Sequence, residues 1–171
     1  MTSLPLSGYS QIKGIGVGGS YRVIFSAVAA ALLSACESPL SPSELRTLAE
    51  AEARWTHRSF QDYSFEIRRS CFCEPSVTQW ARVEVLGGVV SRVVLLESGM
   101  EVSPEQRGRF PTVEGTFASI RAATEDESLE DIKVEFDPEL GFPTRVMFEA
   151  KPDILDGGSA TYLRSVAPIP S

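Results

Sequence analysis

Ala81-Arg82-Val83-Glu84-Val85-Leu86-Gly87-Gly88-Val89 is the stretch on which the fold turns. Ala81, Val83 and Val85 alternate with Arg82 and Glu84. That period of two puts one side of a strand in a core and the other in water. Gly87-Gly88 supplies the two residues of free positive φ that a tight hairpin needs. Val89 to Leu96 returns as the partner strand, too uniformly apolar for its faces to be assigned. Upstream, Tyr63-Ser64-Phe65-Glu66-Ile67 alternates in the same way, so three strands follow one another.

Each set of three strands follows a helix. Ser41-Pro42-Ser43-Glu44 is a helix start: Ser41 caps, Pro42 takes the first helical position and Glu44 closes a capping box. Leu45, Leu48, Ala51 or Glu52, and Trp55 recur at near-helical spacing as far as His57. Gly99 to Arg109 reads as a loop. Thr112 then caps a second helix whose apolar face is Val113, Phe117 and Ile120, with Gly115 costing about 1 kcal/mol against alanine. The acidic residues from Glu125 to Asp131 read as its solvated exit. Ile132 to Phe136 is a fourth strand, Asp137-Pro138-Glu139-Leu140-Gly141 a turn, Thr144 to Glu149 a fifth strand and Ala160 to Val166 a sixth. The expected fold is α+β: helix, three strands, helix, three strands, with an antiparallel sheet and both helices on one face. The other face is left wet or free for a partner.

The domain at 41–167 has a distinct leader. Lys13 and Arg22 precede an apolar run from Val23 to Leu33, and Leu33-Ser34-Ala35-Cys36 has the form that lipoprotein signal peptidase reads. The run is shorter than the ~20 residues of a membrane-spanning helix. On this reading residues 1–35 are a cleaved signal peptide, Cys36 carries palmitate-type acyl chains, and 36–40 form a tether. Residue 37 is glutamate rather than the inner-membrane retention aspartate, which points to the outer membrane, facing the periplasm, in a Gram-negative cell. All 23 acidic residues follow Cys36, and two of the 16 basic ones precede it, so the mature chain carries −9. Such a field repels polyanions, so nucleic acid is not an expected partner.

The chain offers little recognisable chemistry. Cys71-Phe72-Cys73 leaves an even pair of thiols in an exported domain, the usual sign of a disulfide. Counted from Tyr63, both have core-facing parity, yet residues i and i+2 of a strand lie roughly 6.5–7 Å apart, so a bridge requires a bend. A structural clip, a redox pair, a metal site and two free thiols all remain open. His57, the single histidine, sits at a helix C-terminus, where the dipole suits it. No nucleophile elbow or phosphate loop exists downstream of the leader. Neither a catalytic residue nor a cofactor or metal motif is assigned. Asp137 and Glu139 read as turn residues rather than calcium ligands. Trp55 reads as core. Trp80 has the parity of Arg82 and Glu84 and belongs to the outer face, anchoring a partner or covering a strand edge.

Trp55, Tyr63, Cys71-Phe72-Cys73, Gly87-Gly88, Pro111-Thr112-Val113 with Phe117, and Asp137-Pro138-Glu139-Leu140-Gly141-Phe142-Pro143-Thr144 occur in that order. Over roughly Trp55 to Val166 the chain thereby resembles a family of small bacterial lipoproteins classed only as a domain of unknown function. The resemblance implies an exported, anchored domain and no activity. The reading is therefore a lipid-anchored, non-enzymatic binding or assembly module. Cys36 holds it to the lipid bilayer, and Trp80, Arg82 and Glu84 face an envelope protein or small ligand. The alternative is a thiol-disulfide or metal-handling protein using Cys71 and Cys73.

Overall fold

The computed structural model describes residues 38–154 and 157–170, all within the compact unit Cys36–Ser171. The leader, Cys36, Glu37 and Ser171 lie outside the described residues. Helix α1 is Pro42–Thr56 and opens on the expected capping box. Glu44 N–H donates to Ser41 Oγ at 3.3 Å, and Ser41 N–H donates to the Glu44 carboxylate at 2.8 Å. Leu48, Ala51 and Trp55 are buried. Leu45, expected on that face, is exposed. Core packing begins earlier in sequence instead: Leu40, read as the end of a tether, is buried.

Six strands follow: β1 (Tyr63–Ser70), β2 (Ala81–Leu86), β3 (Val89–Leu95), β4 (Leu129–Phe136), β5 (Pro143–Ala150) and β6 (Ser159–Pro168). They form one sheet in the order β3-β2-β1-β6-β5-β4, antiparallel throughout. The α+β class with an antiparallel sheet is as expected, but the layout departs from a plain helix-and-three-strands repeat. A one-turn helix α2 (Pro75–Thr78) interrupts β1 and β2, and a 3-10 helix, Pro104–Arg109, stands in the loop before helix α3 (Val113–Ala123). The first strand and the last pair at the centre, so the second half runs outward in reverse order. Three boundaries also move. β1 continues to Ser70, β4 takes up Glu130 and Asp131 from the supposed helix exit, and β6 takes up Pro168 from the supposed tail.

Alternation decides the rest. Tyr63, Phe65, Ile67, Val83, Val85, Val93, Ile132, Val146 and Leu163 lie on one face and are buried with Leu48, Ala51 and Trp55 of α1 and Val113, Phe117 and Ile120 of α3. Both long helices therefore cover the same face. Trp55 meets Tyr63 edge-on at 5.1 Å between ring centres. In β6 the alternation would fail after Leu163, but Ser165 takes φ 55° where the register against β1 shifts. This bulge returns Val166 to the core.

The turn 137–141 locks α1 to the sheet. Asp137 Oδ1 accepts from the Glu139 and Leu140 amides at 3.0 and 2.7 Å. Gly141 has φ 81°, and a Cβ there would collide with the Ala51 carbonyl oxygen of α1. The outer edge of β3 is covered by the following segment: Leu95 N–H donates to Met100 O and Val102 N–H to Val93 O, each at 2.9 Å. Arg107 reaches Ser91 O at 2.6 Å. Among the described residues no helix is long and apolar enough to cross a membrane.

Candidate functional site

Among the described residues no helix lies over the even-numbered side of β1 and β2. Its centre is a run of guanidinium groups and aromatic rings drawn from three strands and the α2 connection. Pro75 opens α2, and that turn delivers Trp80 onto this face, its carbonyl held by Leu96 N–H at 2.8 Å. Arg164 of β6 lies 3.8 Å over the Trp80 ring, and Arg68 of β1 lies 5.4 Å from the same ring and 5.1 Å from Tyr162. Arg145 of β5 approaches Tyr162 from the far side at 6.0 Å. Stacking of this kind stabilises a cation while leaving part of its fork unused.

Most charges on the face are compensated. Glu66 is 8% exposed and receives Arg82 at 3.0 Å and Arg164 at 2.9 Å. Burial pushes its carboxyl up, but the two guanidinium hydrogen bonds outweigh that and hold it below the ordinary range. Arg92 bridges Glu84 and Glu101, and Arg145 pairs with Glu135. Arg68 differs. It is half-buried, stacked and without an ion pair among the described residues, and its Nε has no hydrogen-bond partner. With one carboxylate shared by Arg82 and Arg164, the strip Arg68, Arg82, Arg164 and Glu66 is locally positive on an acidic chain.

Trp80, Arg82 and Glu84 thus share one face, as their parity indicates. Arg82 and Glu84 are occupied by Glu66 and Arg92, and Trp80 is half-buried under Arg164. Arg68, Arg145, Tyr162 and Arg164 were not singled out from sequence. Arg68 shares the parity of Glu66, and Tyr162 and Arg164 flank Leu163, but only the β1–β6 pairing, 98 residues apart in sequence at Glu66 and Arg164, gathers them.

The cysteines form a disulfide, with Cα atoms 5.2 Å apart. β1 ends at Ser70 and the chain bends at Cys71 and Phe72, which brings the pair within reach. The core-facing parity ends with the strand: Cys71 is half-buried, Cys73 is exposed, and Phe72 between them is 94% exposed. Both sulfurs are in the bridge, and among the described residues no three His, Cys, Asp or Glu side chains gather as metal ligands. His57 is the exposed cap of α1, with Nδ1 2.6 Å from Ala53 O.

A second carboxylate cluster lies where α1, β1 and α3 meet. Glu114, in the first turn of α3, accepts from Trp55 Nε1 at 2.9 Å, Tyr63 Oη at 2.6 Å and Arg58 at 2.8 Å. Burial pushes its carboxyl up, but the Tyr63 hydroxyl and the other donors hold it below the ordinary range. Burial and this carboxylate push the Tyr63 hydroxyl well above its ordinary value. Tyr63 Oη also accepts from Val113 N–H at 3.1 Å, so the cluster ties α1, β1 and α3 together.

Residues 47–168 match the model of a family described as a family of unknown function, DUF6174. No curated protein and no solved structure matches the chain.

Proposed function

The chain belongs to the DUF6174 family, and from that membership and the geometry above we propose a lipid-anchored cell-envelope domain that binds a partner through the helix-free face of its sheet. The tetrapeptide Leu33-Ser34-Ala35-Cys36 supports the anchoring: cleavage before Cys36 and acylation with palmitate-type chains hold the protein to the lipid bilayer. Glu37 favours the outer membrane, facing the periplasm, in a Gram-negative cell. The observation that carries the binding reading is Arg68, a stacked guanidinium that among the described residues has neither a carboxylate partner nor a helix over its sheet face. Arginine and aromatic anchors of this kind dominate recognition surfaces. An envelope protein or a small ligand fits this face, while nucleic acid is disfavoured by the charge of the mature chain.

Two measurements test the proposal. Intact mass of the protein from its native membrane is expected to start at Cys36 with acyl chains added; retention of residues 1–35 without lipid overturns the anchoring. Photo-crosslinking from position 84, on the same face and with Arg68 left in place, in intact cells at native expression is expected to trap a discrete envelope component. Crosslinking only to solvent, or equally from an exposed helix position such as 53, rejects the face. A second reading, thiol-disulfide exchange at Cys71–Cys73, is favoured by the exposure of Cys73. It requires a reduction potential near that of the oxidising exchange proteins, and a bridge that glutathione leaves intact excludes it.

A further inference from the structure

The helix-covered side holds a cavity of about 250 Å³ between α3 and the ends of β1, β5 and β6. One wall is the Cys71–Cys73 bridge, another is Val146 and Phe148, and Arg69 lines the space between. Arg69 has the parity of Ile67, so it is a cation on the core side of the sheet. Among the described residues no aspartate or glutamate lines the cavity. Among the described residues Arg69 has no ion pair, and burial, with nothing to oppose it, pushes its guanidinium below its ordinary value. A guanidinium does not shed its proton near neutral pH, so the cavity presents an uncompensated charge in partly dry surroundings.

The hydroxyls divide into two kinds. Thr116 and Ser119 of α3 donate to carbonyls of their own helix at 3.1 and 3.0 Å. Ser159 and Thr161 of β6 make no side-chain hydrogen bond among the described residues, so their protons are free to serve a ligand. One cation with neutral hydroxyl donors matches a monoanion. The planar fork matches a carboxylate, and the apolar wall matches a hydrocarbon body. The volume lies below the roughly 300–1,000 Å³ of drug-sized sites, so the ligand is small.

We propose that this cavity binds a small organic monocarboxylate. Its carboxylate lies on Arg69 and the hydroxyls of Ser159 and Thr161, and its body lies against Val146 and Phe148. The site is on the opposite side of the sheet from the proposed partner face and stands or falls independently of it. The test is an NMR titration of the purified isotope-labelled protein with benzoate and hexanoate, with benzamide, hexanamide and inorganic phosphate as comparators. Saturable shifts centred on Arg69 Nε–H and the amides of Thr116 and Thr161 are expected for the acids, with amides and phosphate at least about tenfold weaker. Arg69→Met is expected to lose about tenfold or more in acid affinity without spectral change elsewhere. If that variant does not fold, the acid–amide comparison on the unaltered protein decides alone. Amides that bind as tightly as acids, phosphate that binds as tightly as either acid, or no saturation by about 10 mM acid overturns the proposal.

Discussion

Glu66 and Glu114 are two carboxylates that each gather several donors, Glu66 buried and Glu114 partly exposed, and they are held for different ends. Glu114 is gripped by Trp55, Arg58 and Tyr63, which come from α1, the turn after it and β1. Its cluster joins layers that would otherwise separate. Glu66 is gripped by Arg82 and Arg164 from the strands on either side of it, which the backbone ladder already holds together. It adds little to the architecture and instead fixes two side chains on an uncovered surface. The Glu114 cluster serves cohesion between layers, and the Glu66 cluster serves display on the open face.

Substitutions can break that contrast. Trp55→Ala removes a fully buried ring and one donor to Glu114, and about 3–5 kcal/mol of stability should be lost in chemical denaturation. Gly141→Ala forces a side chain into positive φ against the α1 backbone, and about 2–4 kcal/mol should go, seen as a lower melting temperature. A neutral result would mean that the turn can retreat from α1. Glu114→Gln should cost about 1–2 kcal/mol, discounted because the carboxylate is partly exposed.

That variant also sharpens the comparison through pH. The Glu66 and Glu114 carboxyls are both held below 4.5 in the folded protein. Each therefore contributes stability that is full above its unfolded value and is lost as pH falls through the folded one. Unfolding midpoints should drop below about pH 4.5, and Glu114→Gln should flatten that drop. Replacing Cys71 and Cys73 together by serine should cost no more than about 1.5 kcal/mol, because the bridge closes a very short loop. Arg68→Ala should change stability least, by about 0.5 kcal/mol or less, while abolishing crosslinking at the open face. A large loss there would make Arg68 a structural residue.

How much of this was legible in the sequence depends on the range of the interaction. The α1 cap, the Gly87-Gly88 hairpin and the turn ending at Gly141 are encoded within five residues, and all were readable. The side on which Trp80, Arg82 and Glu84 stand followed from strand period. Helix α2 was not readable, since four residues give no helical repeat. The cysteine orientation failed because parity holds only while a strand lasts, and β1 stops one residue short of Cys71. Arg68, Glu114 and Arg69 each acquire meaning from partners far along the chain. A glutamate in the first turn of a helix looks like ordinary dipole chemistry until Trp55 and Tyr63 are seen to reach it.

The strap of Met100 to Arg107 along β3 has a consequence for neighbouring copies. An uncovered border strand invites a second molecule to continue the sheet, and molecules crowded together would polymerise that way. Here the border is already occupied by the chain's own amides and by Arg107, and at the opposite border Glu130, Lys133 and Glu135 project charge outward. The molecule can therefore be packed densely with its siblings and still remain a collection of separate units.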